Sequence, residues 1–338
     1  MYRNGERMMA WVAKVDRVVK HPEADSLDIC TVGGWQCVTK LGEFKQGDLV
    51  VYISIDSWVP TRLAPFLSKG KEPREYNGVS GERLRTAKLR GQLSQGLLLP
   101  FPNIGYEGQD LSNILGIQKW ERPVPSQLAG QVRGNFPTEV PKTDQERVQN
   151  LVKEITQAHA KGLRYECTEK LEGSSCTFFL DLEGEFHVCS RNLDLKRDEN
   201  NAFWRAAIKY DIEAKMREFE LNGHAIQGEL IGPNIQGNIY GLSDIEFHAF
   251  DVYNSITGNY MTPAGRLKMI GEMGLNHVPV VAWEKDLDTG VVADLLELAD
   301  GPSKLGKNPM REGLVWKEMN GGMTFKTISN AYLLKGGE

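Results

Sequence analysis

The hydrophobic pattern of this chain changes character across one stretch, Asn103 to Pro141, which is rich in Gly, Pro, Asn and Gln and broken by several prolines. Before it lie short β-like runs, "MAWVAKVDRVV", "LDICTV", "WQCVTKL", "DLVVYISI" after a Gln46-Gly47-Asp48 turn, and "GLLLPF". About five such runs in roughly 100 residues predict a small closed barrel. After it, "KTDQERVQNLVKEITQAHAKG" sets Val148, Leu151, Val152 and Ile155 at helical spacing. Thr143 and Glu146 fit a capping box and Gly162 the far end, so a helix is expected from near residue 143. Strand-like "LRYECTE", "CTFFLDL" and "EFHVCS" follow, then helical "NAFWRAAIKYDIEAKMREFEL", strand-like "AIQGELI" and "IEFHAFDVY", and a helix from Pro263 to Met273 with Thr262 as N-cap. "EGLVWK" and "MTFKTIS" close the series. Helices and antiparallel hairpins mix irregularly, which reads as α+β rather than a doubly wound sheet. For 338 residues this gives two domains: a barrel over 1–125 with a linker to about 142, then a second domain over 143–338.

"HPEADSLDICTV" resembles the opening of the tRNA-binding OB modules attached to some tRNA synthetases, which supports an OB-like barrel. The net charge of -5 gives no global attraction to phosphate, so a nucleic-acid surface has to be a local patch. Arg62 to Arg90 supplies the densest positive segment, with eight basic residues against three acidic ones. It reads either as a solvated charged loop or as a phosphate-tracking surface beside the barrel, with Arg83, Arg85, Lys88 and Arg90 as the contacts.

Other classes are disfavoured. Five cysteines form an odd set without a CxxC pair, so neither a disulfide framework nor a thiolate zinc site is expected, and the thiols fit a reducing cytoplasm or nucleus. The amino terminus is interrupted by Arg7, Lys14 and Asp16 before a signal-peptide core accumulates, and no apolar run reaches the roughly 20 residues of a membrane span. The six histidines show no HExxH-like spacing.

The chemistry centres on "TEKLEGSSCTFFLD", where Lys170 ends one strand and a turn through Gly173 opens the next. That position projects an amine into whatever cleft the sheet bounds. The motifs "EKLEGSS", "CSRNLD", "QGELIGPNIQG", "FHAFDVY", "REGLVWK" and "TFKTISN" then follow in order. Together they resemble the nucleotidyl-transferase motifs of the superfamily of DNA ligases, RNA ligases and mRNA capping enzymes. The chain is most similar to ATP-dependent RNA ligases of the fifth family, in which an OB module precedes the adenylyltransferase domain. "RTAKLRGQLSQGLLLP" in the first half fits the same family.

The resemblance implies an ATP-grasp-like, antiparallel-sheet catalytic domain behind the OB barrel. It makes Lys170 the nucleophile that becomes a lysyl-AMP phosphoramidate, with Glu169, Glu172, Gly173 and Arg191 around the nucleotide. Glu229 would bind a ribose hydroxyl or metal water, and Phe250 would stack on adenine. Glu312 would hold Mg²⁺ or Mn²⁺ through its waters, Lys326 would reach the α-phosphate, and Arg147 would orient the leaving pyrophosphate. The chemistry needs such a set. A free lysine amine is almost wholly protonated at neutral pH, and nearby cations with partial desolvation favour the neutral nucleophile. Expelling pyrophosphate builds negative charge that fixed cations stabilise.

Two departures stand out. Glu172 takes the place of the usual Asp two residues after the nucleophile, and the last motif carries one lysine, with Ile328 two positions beyond Lys326. DNA ligases and capping enzymes place their OB domain after the last motif, whereas nine residues follow Ser329 here, so the expected activity is sealing of RNA, at nicks in duplexes, by a monomer. The alternatives are a nucleic-acid-binding protein with an inactive ligase-like domain and, less favoured, guanylyl transfer.

Overall fold

The computed structural model describes residues 2–3, 6–101, 105–121, 130–307 and 309–335; 122–129, which spans the expected end of the barrel at 125 and the start of the linker, lies outside the described residues. Two compact units result. One takes the residues up to Pro123 together with Val148–Glu154 and those from Leu333; the other takes Val124–Arg147 and Ile155–Tyr332.

In the first unit, the strands Leu97–Pro100, Leu49–Ile53 and Ala10–Lys14 form one antiparallel sheet, and Arg17–Lys20, Leu27–Val32 and Trp35–Lys40 form another. The run read as "MAWVAKVDRVV" is thus two strands, broken at Val15 and Asp16. Val15 donates its amide to Asp48 and Asp16 donates to Thr31, which turns the chain from one sheet into the next. Gln95 donates to the carbonyl of Gln36, joining the far edges as a barrel requires. Leu49–Ile53 reads as a continuous apolar run because both its faces are covered. Val50 and Tyr52 join Trp11, Trp35 and Leu98 inside the barrel, while Val51 and Ile53 pack with Val59, Leu84, Leu111 and Ile117 outside it.

That outer layer takes up part of the Arg62 to Arg90 segment as strand rather than loop. Arg74–Tyr76 and Val79–Arg83 pair with Ser57–Pro60 and Gln118–Lys119 in a four-stranded sheet, and Ala87–Leu89 forms a hairpin with Gln92–Ser94. Positive φ at both Arg90 and Gly91 is the signature of the tight turn that matches strand twist, and it sets Arg90 at the hairpin tip.

Among its described residues, the second unit has two largely antiparallel sheets. The larger runs Val132–Asn135, Leu193–Leu195, Phe186–Cys189, Ser174–Leu180, His224–Ile231, Glu246–Asn254 and Asn259–Tyr260, with Asn276–His277 added in parallel to Glu246–Asn254. The smaller runs Val280–Lys285, Tyr165–Lys170, Gly313–Glu318 and Thr324–Ile328. Phe178, Leu180, Val188, Ile226 and Phe247 bury one face of the larger sheet against Trp204, Ile212 and Met216 of the helices.

Several expected elements take a different form. The helix placed from residue 143 begins only at Val152, after a short 3-10 turn over Val148–Asn150, and ends at Ala160. Thr143 instead hydrogen-bonds Ser175 at 2.7 Å, and the carbonyl of Glu146 accepts from the amide of Lys326. Long-range pairing therefore outcompetes the local capping box. The helix read over 201–221 is two, Ala202–Lys209 and Ile212–Glu218, separated by Asp211 at φ +51°. Val292–Ala299 is a further helix. The expected cap at Thr262 forms, its side chain accepting from Gly265, with Pro263 in the first turn and Gly274 at positive φ just past the end.

Candidate active site

Lys170 is the last residue of its strand, paired with Gly313, and the chain turns through Leu171–Gly173 into Ser174–Leu180. Gly173 is required by close approach: a Cβ there would lie 2.4 Å from the carbonyl of Leu230. The turn can therefore lie flat against the strand that carries Glu229. Its other side is held by the loop after that strand. Tyr240, fully buried, accepts the amide of Glu172 on its hydroxyl at 2.7 Å, and Gln236 donates to the carbonyl of Gly173 at 3.3 Å. Asn234, Gln236 and Asn238 all adopt positive φ in this loop. Asparagine tolerates such backbone better than most residues, and for Gln236 it is uncommon.

Lys170 Nζ donates to Glu312 Oε1 at 2.6 Å, with 26% of the lysine side chain and 14% of the glutamate exposed. Adjacent strand ends bring them together: Glu312 precedes the strand that begins at Gly313, Lys170's partner. Lys326 lies on the next strand, and Arg147 bridges beside it in parallel. Burial, then Lys170 and Arg147, push the Lys326 amine down to about 8, against the opposing pull of Asp144 and Glu312. Glu229 is raised to about 8, first by burial; Lys170 and Arg191 draw it back and Glu312 adds to the rise. Arg191, more exposed, donates to Asp144 at 2.6 Å.

The structure thus brings Lys170, Glu312, Lys326, Arg147, Glu229 and Arg191 into one electrostatic cluster. Phe250, half-buried, packs beside Leu171, Ile231, Tyr240 and Val278. Ile328 is buried, and the second cation near Lys326 is Arg147. Glu169 stands beside the nucleophile with its carboxylate on the other side of the strand. One residue before Lys170, it points to the opposite face of the strand. Its buried carboxylate accepts the amide of Lys304 at 2.9 Å. Arg83 differs from its basic neighbours. Its guanidinium bonds Asp56, lies 4.0 Å from the Trp120 ring centroid and is 15% exposed, so it braces the barrel's outer layer. Arg85, Lys88 and Arg90 are exposed.

Asp144, Tyr240 and Gln236 were not singled out by sequence. Asp144 sits in a segment whose pattern suggests a helix start, and the tyrosine carries no spacing signal. "GPNIQG" does contain the Gly-Pro-Asn chemistry of an irregular loop, the one cue available.

Behind burial, Glu312 adds to the rise of Glu229, a repulsion that a hard divalent cation between the two carboxylates would relieve.

Comparison with known proteins adds independent findings. An OB-fold domain model matches residues 9–101, and an RNA ligase family model matches residues 163–328. No curated protein matches. Among solved structures, the chain is similar to the Naegleria gruberi RNA ligase with PPi, at 42% identity and TM-score 0.87, covering 98% of this chain and 99% of that one. It is similar too to a Lys→Ala mutant of that ligase with ATP and Mn, at 41% identity and TM-score 0.87, covering 97% and 98%. A Glu→Ala mutant with AMP and Mn matches at 41% identity and TM-score 0.88, covering 97% and 99%.

Proposed function

This chain belongs to the RNA ligase family, and we propose that it is an ATP-dependent enzyme that seals a 5′-phosphate to a 3′-hydroxyl through a lysyl-AMP intermediate. The observation that carries the reading is the Lys170–Glu312 pair, set 2.6 Å apart within the cluster of Lys326, Arg147, Arg191 and Glu229.

Lys170 Nζ attacks the α-phosphorus of ATP, an N–P bond forms and pyrophosphate leaves. The ammonium has to lose a proton first, and Glu312 Oε1 is in hydrogen-bond contact to take it. Lys326 and Arg147 face the negative charge that builds on phosphorus and pyrophosphate, in a partly desolvated place where each cation counts for more than in water. Glu229 and Glu312 would hold a divalent cation, which would supply further positive charge against the phosphates. Arg191, released from Asp144, and Glu172 face the nucleotide, and Phe250 offers its ring to adenine. The RNA 5′-phosphate oxygen then attacks the same phosphorus, Lys170 leaves as the amine, and AMP caps the 5′ end. Finally the 3′-hydroxyl attacks the 5′-phosphorus, expelling AMP and forming the phosphodiester.

We read the substrate as a nick in a duplex with a ribonucleotide at the 3′ end, approached by the exposed cations Arg85, Lys88 and Arg90. Incubation with ATP, Mg²⁺ and a labelled nicked duplex tests this. Sealing of the nick with a 3′-ribonucleotide, and at least about tenfold slower sealing when that nucleotide lacks its 2′-hydroxyl, is expected for a site that contacts this group. Equal rates on both ends would remove the ribonucleotide preference. A protein that binds the duplex without sealing it would favour a nucleic-acid-binding role.

A further inference from the structure

Phe250 occupies an irregularity in its strand. Along the pairing of His224–Ile231 with Glu246–Asn254, Gln227 faces Asp251 and Gly228 faces Ala249, so the partner strand skips Phe250. A bulge of this kind takes its residue out of the ladder and re-aims the side chain. The carbonyl left over by the bulge is met by Lys317 of the smaller sheet, whose Nζ donates to it at 2.5 Å. The same ammonium stands 5.4 Å from the centroid of the Phe250 ring and 2.7 Å from Asp251 Oδ1. Lys317 is thus held by a carbonyl, an aromatic face and a carboxylate. Asp251 is itself 3.5 Å from Arg266, which pairs with the buried Glu166.

This arrangement is poorly explained as a stability device. Lys317 is 5% exposed, and burial pushes its amine down to about 8 despite Asp251. Apolar side chains of similar size generally serve stability as well as buried ion pairs do. What methionine could not supply is a hydrogen bond to the bulged carbonyl and a cation against the ring. Both contacts act on Phe250.

We infer that Lys317 is a positioning residue for the nucleotide base: by bracing the bulge at Phe250 it fixes the ring on which adenine stacks, and so sets affinity for ATP rather than the rate of adenylyl transfer. The inference rests on the ligase reading above.

The test is initial-rate self-adenylylation over a range of ATP concentrations, with melting curves for every variant. Lys317→Met is expected to raise KM for ATP about tenfold with kcat within about twofold, the pattern of lost uniform binding. Lys317→Gln keeps a donor for the carbonyl and Lys317→Arg keeps donor and cation, so KM should recover in that order. If Lys317 acts through Phe250, adding Lys317→Met to Phe250→Ala should change KM by less than about twofold, since coupled residues are not additive.

A loss of kcat with unchanged KM, equal damage from Met and Arg, or full additivity with Phe250→Ala would each overturn the inference. Should the Met variant not fold, the Gln and Arg variants decide it: KM no better with Arg than with Gln overturns it. A wild type that takes no label sinks the ligase reading itself. A wild type that labels, beside a Met variant with the wild-type ATP dependence, sinks this inference alone.

Discussion

The two units carry the cations of the proposed reaction in opposite ways. In the ligase unit, Lys170 is ion-paired with Glu312, Lys326 is pushed down to about 8 by burial and by its cationic neighbours, and Arg147 is buried beside it. In the barrel unit, Arg85, Lys88 and Arg90 stand exposed on and beside one short hairpin. A buried cation has its charge set by the groups around it, so removing one disturbs the whole cluster. An exposed cation acts through screened attraction that adds up over neighbours and fades with salt. Nucleotide chemistry should therefore be brittle to single substitutions and RNA capture graded.

The sharpest break in that contrast comes at the nucleophile. Lys170→Ala is expected to abolish formation of the adenylylated protein, a loss beyond about 10³-fold, because no other group forms the N–P bond. Label on the variant at the wild-type rate would remove Lys170 from the chemistry.

Lys326 comes next. Lys326→Met should lower self-adenylylation by about 10²-fold or more, the scale of losing one preorganised charge at a reacting centre. Its pH dependence has a definite sign: the amine, at about 8 in the free protein, loses its proton and its attraction for phosphate as pH rises through that value. For the wild type, kcat/KM for ATP should fall above about pH 8. Lys326→Arg, which does not titrate there, should hold its level to higher pH. A falling limb unchanged in the Arg variant would assign it to another group.

On the barrel, replacing Arg85, Lys88 and Arg90 together by Ala is expected to slow nick sealing about 10- to 100-fold and to flatten its salt dependence, with self-adenylylation within about twofold. Equal losses in both reactions would erase the contrast between the units. Arg83→Ala should behave differently, lowering stability by about 1–2 kcal/mol through the lost Asp56 and Trp120 contacts and leaving the salt slope of sealing unaltered.

The smallest effect concerns Glu229. Its carboxyl is raised to about 8, so between its ordinary range and that value the folded protein holds a proton that the unfolded chain has released. Stability from this group is present at low pH and is lost as pH climbs through the window. Glu229→Gln has no such proton, and its melting temperature should gain progressively on the wild type between pH 5 and 8. Parallel melting curves over that range would contradict the shift.

Much of the site was legible because its chemistry is local. The strand ending at Lys170, the glycine that lets the turn lie against Leu230, and the motif order all sit in contiguous stretches, and the helix at Pro263 announced itself by cap, proline and terminal glycine. The misread parts depend on distant residues. Thr143 and Glu146 carry the letters of a capping box, yet Ser175 takes the threonine hydroxyl and the glutamate carboxylate accepts the amide of Arg147. Arg83 looks like any other cation in its segment until Asp56 and Trp120 surround it. Lys317 and Tyr240 act on Phe250 and Glu172, 67 and 68 positions away, through pairings that no spacing rule encodes.

The most direct test is to incubate the wild-type protein with ATP and Mg²⁺ and to map the adenylylated peptide by mass spectrometry under denaturing conditions. A single AMP on the peptide containing Lys170, lost in acid and retained in alkali as a P–N bond requires, is the expected result. AMP on another residue, Lys326 included, or none at all would contradict the account.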